Sequence, residues 1–207
     1  MAFTYTASGI FFRSENADEA VAEALRYSGR ALEIDSTLPQ AHFARAVALQ
    51  RYGRHDEAIT SARKAVAYDP NYADGYAALS NVLFYSGDGA AAEQAIREAM
   101  RLNPRFSAPY IELLGRAYFM MGRYDEAIGP IRDCISRDPG ALTCHVYLAA
   151  VYGLTGQTGE AEWEAEEVLG LEPGYSLKTD IIATQFRNPE DRERYQSGLR
   201  RSGIPEE

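Results

Sequence analysis

Lysine is nearly absent from this chain: Lys64 and Lys178 are the only two among 21 basic residues, and the acids outnumber the bases to leave a net charge of −9 over 207 residues. That balance argues against nucleic acid as a partner, because gripping a phosphate backbone needs clustered cations to displace counterions. No basic run flanked by stacking aromatics is present. Cysteine is equally scarce. Cys134 and Cys144 stand alone, which implies no disulfide framework, and His42, His55 and His145 lack metal-ligand spacing to them or to one another. Neither a metal nor a cofactor is expected. Nowhere do about 18 apolar residues run together as a membrane span requires, and Met1 to Phe12 hold no basic stretch followed by a long apolar one. Direct membrane insertion is not expected, and the reading is a cytoplasmic protein. Catalytic motifs are missing too: there is no nucleophile elbow, no H-E-x-x-H and no phosphate loop. Gly87-Asp88-Gly89 is explained by a turn between helices. The chain is read as a non-enzyme.

What the sequence has is a repeat. Gly53, Gly87, Gly122 and Gly156 recur at steps of 34, 35 and 34 residues. Ala58, Ala92, Ala127 and Ala161 follow each glycine by five positions, and Pro70, Pro104, Pro139 and Pro173 follow each alanine by twelve. A period of this length means a solenoid, in which a two-helix unit cannot bury its apolar face alone and stacks on its neighbours. The 46% hydrophobic and 25% charged composition suits such a folded chain.

Residues 37–70 illustrate one unit, with helix A from Pro39 to Arg51, a turn at Tyr52 to His55, and helix B from Asp56 to Ala67. Pro39 fits a first helical turn, Gly53 can take the left-handed conformation that stops helix A, and Asp56 and Glu57 favour the positive end of helix B. Pro70 disfavours helix in the residue before it. Small residues Ala46, Ser80, Gly115 and Ala149 on the A helices face Ala58, Ala92, Ala127 and Ala161 on the B helices, letting each pair approach closely. Cys134 falls at a small-residue position matching Ala65 and Ala99, and reads as a buried, inert thiol.

These features resemble the tetratricopeptide repeat, whose pattern is W-x2-L-G-x2-Y, then A-x3-F, then P. The best match is Ile111-x2-Leu114-Gly115-x2-Tyr118, Ala127-x3-Ile131 and Pro139, with Ile in place of both Trp and Phe. The resemblance implies an all-α, right-handed α-solenoid of helix-turn-helix hairpins with a C-terminal capping helix. Residues 1–36 form an atypical leading repeat, in which a turn at Ser14 to Asp18 replaces the glycine and Ser36 stands at the proline position. Four regular hairpins follow at 37–70, 71–104, 105–139 and 140–173. In the capping segment 174–207, Ser176 to Thr184 reads as a solvating helix. A second short helix is expected after it, with Asn188 as N-cap, Pro189 at N1, Glu190 and Asp191 in the first turn, Arg200 and Arg201 near the end and Gly203 as stop. Tyr195 and Leu199, four residues apart, would form its contact with the solenoid.

The run NPEDRERYQSGLRRSGIPE at 188–206 resembles the ending of tetratricopeptide arrays that follow the catalytic domain in bacterial class III adenylate or guanylate cyclases. That resemblance implies a non-catalytic regulatory module at the C-terminus of a signalling protein. A stand-alone adaptor and a homo-oligomerisation module are the alternatives it leaves open.

In tetratricopeptide arrays the A helices line an inner groove that holds partner segments. Carried onto this sequence, the lining is Phe43, Val47, Gln50 and Arg51, then Ala77, Asn81, Phe84 and Tyr85, then Glu112, Arg116, Phe119 and Met120, then Val146, Ala150 and Leu154. Its aromatic and Met content favours a protein or peptide partner. The carboxylate clamp of heat-shock co-chaperones is discounted, since Phe43 and Val47 occupy the places of its first Lys and Asn. The acidic stretch from Glu160 to Glu167 reads as a solvated outer face.

Overall fold

A computed structural model describes residues 17–207. Among them the chain is all-helical. The leading α1 (Ala17–Ile34) is followed by four hairpins: α2 (Pro39–Arg51) with α3 (His55–Tyr68), α4 (Ala73–Tyr85) with α5 (Gly89–Leu102), α6 (Ala108–Met120) with α7 (Tyr124–Arg137), and α8 (Leu142–Thr155) with α9 (Thr158–Leu171). A short 3-10 turn (Ala183–Gln185) and α10 (Pro189–Arg201) complete it. Residues 14–16 of the expected leading turn, and Met1 to Phe12, lie outside the described residues, while Ala17 and Asp18 already belong to α1.

The hairpin turns follow from the repeated glycines. Gly53 sits at φ +68°, where an L side chain is strained. There its N–H donates to the Gln50 carbonyl while the Arg54 N–H reaches the Leu49 carbonyl, the paired bonds that terminate a helix at a left-handed residue. Gly87 with Asp88, and Gly122 with Arg123, repeat the arrangement. Ala46 and Ala58, and Ala149 and Ala161, are fully buried within their hairpins. Gly115 lies so close to Ile131 that an added Cβ would sit 2.5 Å from that side chain.

Of the A helices, α2 packs on α4 and α4 on α6, with a slighter contact from α6 to α8, whereas no two successive B helices make a contact as extensive as the first two. The A helices therefore form the inner row of the curved stack. In α8 this inner position leaves a run from Cys144 to Gly153 buried without interruption.

Three expectations are corrected. Cys134 is not a free thiol: it is disulfide-bonded to Cys144, joining α7 to α8. Ser176 to Thr184 is not a solvating helix, because its side chains take the backbone groups a helix would use. The Ser176 N–H donates to Thr179 Oγ1, the Thr179 N–H to Ser176 Oγ, and the Ile182 N–H to Asp180 Oδ1. The Leu177 and Lys178 N–H groups turn instead to the carbonyls of Pro205 and Glu206. Asn188 does precede α10, but its side chain bonds Asp191 rather than capping the helix.

Candidate interaction groove

The inner row of A helices is covered by the chain's own C-terminal segment. After α9 ends, the segment turns back and crosses α2 and α4 on its way to α10, which itself lies against α6 and α8. At α2, Gln50 Nε2 donates to Gln185 Oε1 at 2.7 Å in a buried contact. At α4, the Phe186 ring packs 5.5 Å from both Phe84 and Tyr85, and the Arg187 N–H donates to the Tyr85 carbonyl at 2.9 Å. The Arg187 guanidinium spans further, to Asp56 on α3 at 2.7 Å. At α6, Arg194 Nη2 donates to the Met120 carbonyl at 3.1 Å. At α8, α10 makes its most extensive contact. Gly153 and Gly198 allow it, since a Cβ on either would collide with backbone of the opposing helix.

Tyr195, fully buried, is the centre of this interface, with ring centroids 5.3 Å from Tyr147, 5.4 Å from Phe186 and 6.3 Å from Phe119. Leu199 and Ile204 are buried beside it. Such edge-to-face and tilted aromatic pairs add about 0.5–1.5 kcal/mol each beyond their buried area.

The floor of the groove carries a buried charge. Arg116 Nη1 donates to Glu112 at 3.2 Å and Nη2 to Asn81 at 3.0 Å. Its guanidinium lies over Phe84, Tyr85 and Tyr147 at 4.4, 4.9 and 5.2 Å, a desolvated cation–π arrangement. Burial pushes the Glu112 carboxyl above its usual range, against the pull of Arg116. On the tail side, Asp180 is 2% exposed. Burial raises its carboxyl to about 6, opposed by the Ile182 N–H that donates to Oδ1 and by the nearby Tyr195 and Tyr175 hydroxyls. Arg116 Nε, Tyr147 Oη, Asp180 Oδ2 and Arg194 Nε are buried here without a protein hydrogen-bond partner among the described residues. The layer between tail and solenoid is thus polar as well as aromatic.

Of the residues expected to line a groove, Phe84, Tyr85, Phe119 and Met120 lie directly under the tail, with Arg116 and Glu112 below them, and all six are buried. Asn81 is half-buried at the edge, held by Arg116. Phe43, Val47 and Arg51 on α2, and Leu154 on α8, are half-buried, with Phe43 edge-to-face on Tyr72 at 5.7 Å. The tail residues Gln185, Phe186 and Arg187 were not anticipated. A usable signal existed in Gly153 and Gly198, since glycine inside a helix costs about 1 kcal/mol and needs a packing reason.

Residues 39–72 match the family model of the tetratricopeptide repeat. TPR repeat-containing protein YpiA of Bacillus subtilis is 25% identical over 179 residues, covering 84% of this chain and 41% of that protein. Small glutamine-rich tetratricopeptide repeat-containing protein 2 of Mycosarcoma maydis is 32% identical over 81 residues, or 39% of this chain and 23% of that one. The chain thus spans less than half the length of these curated relatives. Among solved structures, TTC0263, a thermophilic TPR protein of Thermus thermophilus, superposes with a TM-score of 0.66 at 24% identity, covering 88% of this chain and 92% of that one. The fold is a right-handed α-solenoid of tetratricopeptide hairpins. Among the described residues no helix is long and apolar enough to cross a membrane.

Proposed function

We propose that this chain is a non-catalytic interaction module that binds a protein segment along its A-helix face, and that its C-terminal segment is a displaceable occupant of that face. The observation supporting this is the tail itself, which engages α2, α4, α6 and α8 in turn as a bound peptide would. It also indicates the partner's chemistry: an aromatic anchor for the Phe84 and Tyr85 site, then a helix with a small residue facing Ala150 and Gly153. Because the tail is tethered, its effective concentration is in the mM range. A partner therefore competes by covering more of the face, including Phe43 and Val47.

The test uses the full chain with Gly198→Ala, which forces α10 away from Ala150 without touching the hairpins. A labelled peptide of residues 175–207 should bind this variant and not the unmodified chain, read by fluorescence anisotropy. Failure to bind either protein, with helicity intact in both, rejects the groove as a peptide site.

The finer setting we propose is the C-terminal regulatory array of a bacterial protein resembling a class III nucleotide cyclase. Its support is the 188–206 run, which is the stretch forming α10 and its flanks. The alternatives are a stand-alone adaptor and a homo-oligomerisation module. An antibody against the hairpins separates the first two: a native polypeptide much larger than 22.9 kDa supports the fused array, and one near that mass sinks it. Light scattering that finds only monomer removes self-association.

A further inference from the structure

Beneath the groove, three helices bring three metal-ligating side chains together. The sulfurs of Cys134 on α7 and Cys144 on α8 and a carboxylate oxygen of Glu112 on α6 lie within 4.8 Å of one another, and all three residues are buried. We infer that reduction of the disulfide converts this cluster into a binding site for a borderline-soft divalent cation of the Zn2+ kind, held by two thiolates and the Glu112 carboxylate.

The chemistry balances. A dithiol reductant supplies two electrons and two protons, becoming a disulfide itself, and the S–S bond gives way to two S–H groups. The cation then displaces both thiol protons to solvent, and each sulfur forms a bond to the metal. Zn–S distances of about 2.3 Å and Zn–O distances of about 2.0–2.2 Å are met once the sulfurs move apart, with Glu112 already beside them. Sulfur donors select Zn2+ over Mg2+ and Ca2+, which prefer all-oxygen cages.

Charge favours the site. Two thiolates and one carboxylate around a dication leave a single negative charge, and the Arg116 guanidinium lies 3.2 Å from Glu112 to offset it. The reduced, metal-free cluster has the same net charge, from Glu112 and Arg116 alone. Metal binding therefore buries no additional net charge, which is the term that ordinarily opposes ions in a protein interior. The bound cation would join α6 and α7 to α8, holding the third hairpin to the fourth as the disulfide does in the oxidised chain.

The experiment takes the full chain, reduces it with a non-chelating phosphine, removes the phosphine without oxygen, and titrates with Co2+ and then Zn2+. Expected is a near-ultraviolet thiolate-to-cobalt charge-transfer band that saturates at one equivalent, releases two protons per ion, and is bleached by Zn2+. The oxidised chain should show no band. Cys144→Ser should lose it, and Glu112→Gln should weaken Co2+ binding at least tenfold. A reduced chain with two titratable thiols and native helicity but no band overturns the inference. Equal affinity in a folded Glu112→Gln variant overturns the assigned donor set.

Discussion

Phe186→Ala should loosen the tail while leaving the hairpins intact. Phe186 is 7% exposed and meets Phe84, Tyr85 and Tyr195 at centroid distances of 5.5, 5.5 and 5.4 Å. Burying a Phe side chain contributes about 1.5–3 kcal/mol, and each aromatic pair adds about 0.5–1.5 kcal/mol. Because the tail can lift away rather than leave a cavity, the loss should be about 3 kcal/mol, or roughly a hundredfold in the ratio of docked to undocked tail. Amide hydrogen exchange resolved by peptide is the assay. Amides of α10 should exchange roughly a hundredfold faster in the variant while those of α4 to α7 stay protected, since docking and global unfolding are separate openings in this account. Acceleration by one common factor throughout α4 to α10 would mean that tail and solenoid open as one unit. That result would refute a displaceable occupant.

Three further outcomes follow from the same contacts. Gly122→Ala, at φ +72° with open space around the added Cβ, should cost about 1–2 kcal/mol through backbone conformation alone, read as a lower thermal midpoint with unchanged helical content. Reducing the disulfide, which closes a loop with a sequence separation of 10, should lower stability by about 3 kcal/mol in metal-free buffer, measured by urea unfolding with and without reductant. Stability should also rise as pH falls from 8 to 5.5. Asp180, raised to about 6 from 3.8, opposes folding while ionised, by up to about 3 kcal/mol, and this penalty is relieved between pH 6 and 3.8, with roughly a quarter of it gone by pH 5.5. Burial lowers the His145 imidazole, but Glu164 and the Pro139 carbonyl outweigh it and hold its proton above the ordinary value. Its contribution is present below pH 6.5 and is lost as pH rises through the raised value. Asp180→Asn should flatten the lower part of this urea-midpoint profile, and an unaltered slope would remove Asp180 as its cause.

The hairpins were legible in the sequence because their determinants are local. Gly53 and Pro39 act within one turn of their own positions, and the predicted helix A from Pro39 to Arg51 is the one found. The capping helix was readable for the same reason, from Pro189, Arg200, Arg201 and Gly203. Its docking was not. Gln185 meets Gln50 across 135 residues and Arg187 meets Asp56 across 131, and no periodicity encodes pairs at that separation. The stretch from Ser176 to Thr184 misled because a terminal unit of a solenoid is expected to be a covering helix, while its Ser, Thr and Asp side chains capture the backbone donors. The disulfide was missed on compositional grounds, since two cysteines make no framework, and it joins residues ten apart across the junction of α7 and α8.

The central claim is that the A-helix face is occupied by the tail of the same chain, and nuclear Overhauser contacts between aromatic rings test it most directly. Protein carrying labelled Phe and Tyr, diluted with excess unlabelled protein, reports only contacts within one chain. The account predicts cross-peaks from Phe186 to Phe84 and Tyr85, whose ring centroids lie 5.5 Å away, and from Tyr195 to Tyr147 at 5.3 Å. Their absence in a folded chain would contradict it, as would their loss on dilution, which would place the tail in the groove of another copy.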